Sequence, residues 1–132
     1  MNGFDSETNL ITTYLTSNWN DSLAELILPN AEPPQGADTP FIKLTIQNAD
    51  AKNLTLGTKA YRYIGVIFVQ IFTKSGTGIG VSNEIATALS NLFRDVMIDG
   101  VIRCKVPRLQ NIGVVDSWHQ ANLSVDFSRE EY

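Results

Sequence analysis

Apolar residues recur along this chain with two different periods, and the places where the period changes divide it into elements. Over residues 4–19, Leu10, Ile11, Tyr14 and Leu15 fall on one stripe at helical spacing, with Asp5, Ser6 and Glu7 suited to a first turn, so the pattern predicts a helix. The run Leu26, Ile27, Leu28 stops at Pro29 and is too short to separate a last helical turn from a brief strand; it is read as a strand. Residues 29–40, PNAEPPQGADTP, hold four of the five prolines and no apolar period, which predicts an exposed loop long enough to be a contact arm. From Phe41 the period becomes two: Ile42, Leu44 and Ile46 lie on one face of a strand, and Lys43, Thr45 and Gln47 on the other. The polar run NADAKN, residues 48–53, then turns the chain, and a hairpin tip is expected over residues 48–59.

The longest apolar feature follows, AYRYIGVIFVQIFT over residues 60–73, and it reads as a strand with apolar residues on both faces. Ile64, Val66, Phe68 and Phe72 lie on one side, and Tyr63, Ile67, Val69 and Ile71 on the other. Extended, residues 61–73 would span roughly 44 Å, more than the roughly 36 Å diameter of a compact chain of this length. The strand therefore bends, at Gly65, or it projects. Its outer face is covered either by the protein's own loops or by a neighbouring subunit, and the pattern leaves both open. Ile85, Leu89, Leu92, Phe93 and Val96 then define a second helix, with a stop at Asp99 and Gly100. VIRCKV at 101–106 alternates as a strand ended by Pro107, IGVV is a short candidate, and ANLSVDF at 121–127 is the clearest of the closing strands. The whole predicts a single α+β domain over residues 1–132, with a mixed, mainly antiparallel sheet, a long β-hairpin and two helices packed on it.

Composition narrows the chemistry. The 132 residues suit one domain, and 43% hydrophobic residues are enough for one core. A single cysteine, Cys104, rules out an internal disulfide or a thiolate metal cluster, suits a reducing cytoplasm, and reads as inert core. The formal net charge of −4 argues against a protein that grips DNA or anionic membrane. The best basic cluster, RCKVPR at 103–108, puts Arg103 and Lys105 on one face of a strand, where a solvated face explains them. The polar, acidic beginning MNGFDSETNL has no signal-peptide pattern, and no apolar run approaches the roughly 20 residues of a membrane span.

The glycine-rich stretch KSGTGIGVSNEIATAL at 74–89 raises the question of a nucleotide site. It fails the dinucleotide fingerprint, because Gly76 and Gly78 are followed at the third position by Val81. No lysine follows Gly80 as a phosphate-binding loop requires, and Glu84, read as part of the first helical turn, would oppose an anion. A turn leading into a helix is the better account. His119, the only histidine, has no partner set for a triad or zinc site and is read as a hydrogen-bonded structural residue. Asp95 with Asp99, and Glu130 with Glu131 in a terminal tail, read as exposed carboxylates. No active site, metal site or cofactor is expected.

Three stretches taken together, TPFIKLTI at 39–46, YIGVIFVQIFTKSGTG at 63–78 and SWHQANLSVDF at 117–127, resemble the tail terminator, or tail completion, family of long-tailed bacteriophages. The resemblance runs from the first helix to the last strand. It implies a non-enzymatic virion protein, made in the bacterial host cytoplasm and placed at the head-proximal end of the tail. There a ring, usually a hexamer, would cap the tail tube, stop its polymerisation and offer a surface to the head-tail connector. DNA would pass through the lumen without sequence-specific binding, as an acidic chain allows, although Lys59, Arg62 and the RCKVPR strand would bring positive charge there if they face inward. The resemblance supplies no catalytic residues. By region it points to Asn53, Leu54, Leu56, Lys59, Tyr61, Arg62 and Tyr63 as subunit or tube contacts, with the proline-rich loop as a further one. The alternatives are a tail-tube or head-tail joining ring subunit and, more distantly, a small nucleotide-binding module.

Overall fold

The computed structural model describes residues 3–19, 23–28, 40–54, 59–74, 76, 79–115 and 117–131. In chain order the elements are α1 (Phe4–Asn18), β1 (Glu25–Ile27), β2 (Phe41–Asn53), β3 (Tyr61–Lys74), α2 (Ile79–Phe93), β4 (Met97–Ile98), β5 (Ile102–Cys104), β6 (Arg108–Val115) and β7 (Trp118–Glu131). The strands form one seven-stranded sheet in the order β1-β2-β3-β7-β5-β4, with β6 also paired to β7. Only the β1–β2 contact is parallel, so the sheet is mixed and mainly antiparallel, as expected. The proline-rich loop at 29–40 lies outside the described residues except for Pro40.

Both helices pack on one side of the sheet. Ile11 and Leu15 of α1 and Ile85, Ala86, Leu89 and Phe93 of α2 join Ile42 and Leu44, Ile67, Val69 and Ile71, and Leu123, Val125 and Phe127 in one buried cluster. Each fully buried side chain of this size contributes about 1.5–3 kcal/mol. The two helices thereby decide which face of β3 is core: Ile67, Val69, Ile71 and Thr73 point into it, and Ile64, Val66, Phe68 and Phe72 are left half-covered on the other face.

Four expectations shift. The polar run at 48–53 does not turn: β2 continues through it to Asn53, paired with β3 at every residue but the bulged Ala49, because antiparallel ladder bonds need no apolar side chains. The second helix ends at Phe93 and not near Asp99. Asp95 adopts a left-handed conformation (φ 53°) that an aspartate tolerates, and Val96 is already outside the helix. Asp99 and Gly100 (φ 52° and 68°) instead turn the tight β4–β5 hairpin, closed by the Val101 amide donating to the Ile98 carbonyl at 2.9 Å. Finally, Glu130 and Glu131 belong to β7 and not to a loose tail.

The bend expected at Gly65 has a structural counterpart. Gly65 pairs with Phe127 on one side and Asn48 on the other, immediately before a bulge that inserts Ala49 into β2. A Cβ on Gly65 would stand 2.6 Å from Phe127 Cζ and 2.8 Å from the Gln47 carbonyl oxygen, so this strand position accepts no side chain. Gly65→Ala is expected to lower stability by about 1–3 kcal/mol, read from the urea midpoint. An unchanged midpoint would mean that the Phe127 ring yields without cost and that the close approach is incidental.

Candidate interface surfaces

The least ordinary side chains of the fold are charged and buried. Arg129 of β7 is 2% exposed and Glu7 of α1 is 1% exposed; the Arg129 Nε donates to Glu7 Oε2 and its Nη1 to Glu131 Oε1. The amide of Gly3, just ahead of α1, donates to the same Glu131 oxygen at 2.7 Å. The guanidinium also lies 4.4 Å from the centre of the Tyr63 ring and 5.2 Å from that of Phe4, and those two rings meet edge to face at 5.3 Å. Burial would lower the Arg129 pKa, and the hydrogen bonds to Glu7 and Glu131 outweigh it, holding the cation above its usual range. The hydrogen bond from Arg129 in turn holds the Glu131 carboxyl below the ordinary carboxylate range. The period-based reading placed Glu7 in the first turn of α1 but missed this centre, because an acid in α1 and an arginine in the last strand share no sequence pattern.

The predicted contact residues divide. Asn53 and Lys59 are exposed beside the hairpin tip, where the Leu54 amide donates to the Ala60 carbonyl at 2.8 Å. Leu56 lies outside the described residues. Tyr61 pairs with Asn53 and Glu131, and the exposed Arg62 makes a 2.7 Å ion pair with Glu130. Tyr63 is half-buried, with its ring beside the Arg129 guanidinium.

The sheet face opposite the helices carries the second surface. Along β3 run Ile64, Val66, Phe68 and Phe72. Their partners are polar on the β7 side (Ser128, Asp126, Ser124, Gln120) and mostly so on the β2 side (Asp50, Gln47, Thr45), where Phe41 stacks on Phe72 at 4.7 Å. Arg62, Ile64, Val66, Arg103, Lys105 and Asp126 border a cleft of about 500 Å³ on this face. Register also brings Lys43, Lys52, Lys74 and Arg108 to it, so seven of the ten Lys and Arg lie here, against Glu25, Asp50, Asp126 and Glu130 among the ten described acids. The whole-chain charge of −4 therefore does not describe this face. Among the described residues Arg62 is matched by Glu130 and Arg108 by Asp126, both at 2.7 Å, and the Arg108 bond holds the Asp126 carboxyl below its usual range.

The third surface is the edge at β6. IGVV is part of an eight-residue strand that exposes Leu109, Ile112 and Val114, with Gly113 at φ 112° beside a bulge.

Residues weighed for chemistry assemble no reaction centre. Glu84 lies beyond the first turn of α2, so it does not guard that helix N-terminus as expected; Gly76 is explained by its φ of 93°, and a Cβ on Gly80 would meet open space. Gly78 lies outside the described residues. The His119 Nδ1 is buried and, among the described residues, has no hydrogen-bond partner. Cys104 is buried, and burial pushes its thiol up to about 11. Among the described residues no three His, Cys, Asp or Glu side chains could hold a metal ion, and no helix is long and apolar enough to cross a membrane.

Two outcomes follow from the charged centre. Arg129→Ala strands the Glu7 carboxylate in the core and is expected to cost about 3–5 kcal/mol in chemical unfolding. Because the folded pKa of Glu131 lies below the unfolded value of about 4.3, its contribution is complete above that value and is lost as pH falls through the folded one. The stability gap between the natural protein and Glu131→Gln should therefore close on acidification; a gap equal at neutral and acid pH would contradict the electrostatic account.

Comparison with known proteins agrees with this architecture. A family model described as phage tail terminator protein matches residues 10–127. Among solved structures sharing the fold, one designated only by a sequence identifier is 18% identical, with a TM-score of 0.68 over 94% of this chain and 96% of that one. No curated protein matches. With the family model spanning helix α1 through the body of β7, the chain belongs to the phage tail terminator family, a family of structural proteins of the phage tail.

Proposed function

We propose that this protein assembles as a ring, a hexamer by the habit of its family, that caps the head-proximal end of the tail tube. The ring stops tube polymerisation and presents its free side to the connector of the head, and DNA passes through its lumen without sequence-specific binding. The observation that carries this reading is the family match over residues 10–127 on a chain whose distinctive features are surfaces. Supporting it, β3 keeps a half-covered apolar stripe on the face away from the helices. Contiguous apolar surface of this kind commonly marks a protein contact. The whole chain acts as one unit of 1–132, with the loop at 29–40 and the hairpin tip at 48–59 as contact arms. Along that tip and the start of β3, Asn53, Leu54, Leu56, Lys59, Tyr61, Arg62 and Tyr63 meet the tube or the next subunit, with the Tyr63 ring braced by Arg129.

The reading is tested by solution mass across a concentration series, followed by negative-stain imaging with purified tail tubes. Rings that sit on tube ends without lengthening them are expected. Open-ended polymers would move the protein to the tube itself, and a monomer that ignores tube ends would remove the capping role. Lys59→Glu combined with Arg62→Glu, both at exposed positions, should leave folding intact and reduce the fraction of capped ends.

A further inference from the structure

Among the described residues the sheet has two long free edges, and they are unlike. On one side β1 covers only Phe41 to Lys43 of β2, so among the described residues no strand lies along the outer edge of β2 from Leu44 to Asn53. On the other side β6 pairs with β7 along its inner edge, and no described strand lies along its outer one. Unpaired edges present rows of amide and carbonyl groups that template pairing with another chain, and proteins ordinarily blunt them with charge. The β2 edge is blunted in this way beyond its bulge, by Asp50 and Lys52, while Leu44 to Asn48 carry no charge. β6 is not. Its sequence RLQNIGVV has one charge, Arg108, and that charge is tied to Asp126 within the subunit. Leu109, Ile112 and Val114 stand 42%, 45% and 63% exposed on it.

Resting on the ring reading above, we infer that the ring closes edge to edge, the outer edge of β6 in one copy pairing with the outer edge of β2 in the next. Strand directions favour this. β2 is antiparallel to β3, β3 to β7, and β7 to β6, so β6 runs opposite to β2 within one copy. A rotation about an axis along the strands preserves strand direction, so β6 of one copy meets β2 of the next antiparallel, continuing the pattern of the sheet. Two different edges make a heterologous contact, the kind that closes into a ring when its rotation closes, whereas pairing β6 with itself would stop at a dimer. The match in length is sufficient: β6 has eight residues and the uncovered β2 edge begins with five regular ones, Leu44 to Asn48, before its bulge. Main-chain bonds would supply affinity, and the exposed side chains of β6 the specificity.

The junction is testable by cross-linking. Gln110 of β6 pairs with Asn122, and Thr45 and Gln47 of β2 pair with Phe68 and Val66, which places all three on the open sheet face at exposed positions. Gln110→Cys combined with Thr45→Cys or Gln47→Cys, treated with a short thiol cross-linker, should give a covalent ladder ending at the ring size. The buried Cys104 does not compete. Each single variant should stay uncross-linked; covalent dimers from Gln110→Cys alone would show β6 pairing with itself and overturn the inference. Ring mass by light scattering with no ladder from either double variant would also overturn it, while leaving the ring reading intact. Absence of rings both in solution and on tube ends would sink the two together. As an independent reading, Val114→Lys, at an outward-facing site, should raise the concentration for half-assembly by about tenfold or more without altering the circular dichroism; unchanged assembly would count against the β6 edge.

Discussion

A single buried cation ties the two ends of this chain together. Arg129, near the close of β7, is held by Glu7 from the first turn of α1 and by Glu131 from its own strand, with Tyr63 and Phe4 stacked about it. Removing charge from water is expensive, and the geometry returns the cost only if every partner is present. The cost is not returned in full, since Glu7 Oε1 and Arg129 Nη2 remain without partners. Such a centre therefore contributes definition more than net stability. It permits one placement of α1 on the sheet, because any slide of the helix would leave a carboxylate or a guanidinium alone in an apolar setting.

That placement divides the sheet into unlike faces. With α1 and α2 both on one side, the apolar residues of β3 that alternate toward them become core, and those that alternate away stay half-covered. Gly65 is the concession that lets this happen. The Phe127 ring packs over the space where a side chain would stand, and the β2 bulge beside it takes up the local change of twist.

The same division sorts charge. Lys43, Lys52, Arg103 and Lys105 alternate to the open face, while Asp5, Glu84 and Asp95 are carried by the helical layer or its end. Two surfaces of opposite character on a small acidic subunit give neighbours an orientation, since turning a copy over would set like charge against like. For any charged partner the local face matters more than the chain total, because screening in physiological salt confines each charge to roughly 8 Å.

Local patterns read from the sequence recovered both helices, the brief β1, the long strand and the closing strand, because each depends on side-chain alternation that a single element expresses by itself. The family resemblance likewise rested on stretches whose order along the chain survives without three-dimensional information. What failed was whatever depends on distant partners. The strand through 48–53 persists because β3 lies beside it, and Glu131 is fixed because Arg129 and Gly3 reach it. The helix stop at Asp95 gave no glycine signal, since an aspartate adopted the left-handed turn. The sequence by itself determined which residues could be buried and at what period. Only the tertiary structure decided which of the two apolar faces of β3 is core, which charges are buried, and which strand edges remain free, because these follow from where the helices and neighbouring strands come to lie.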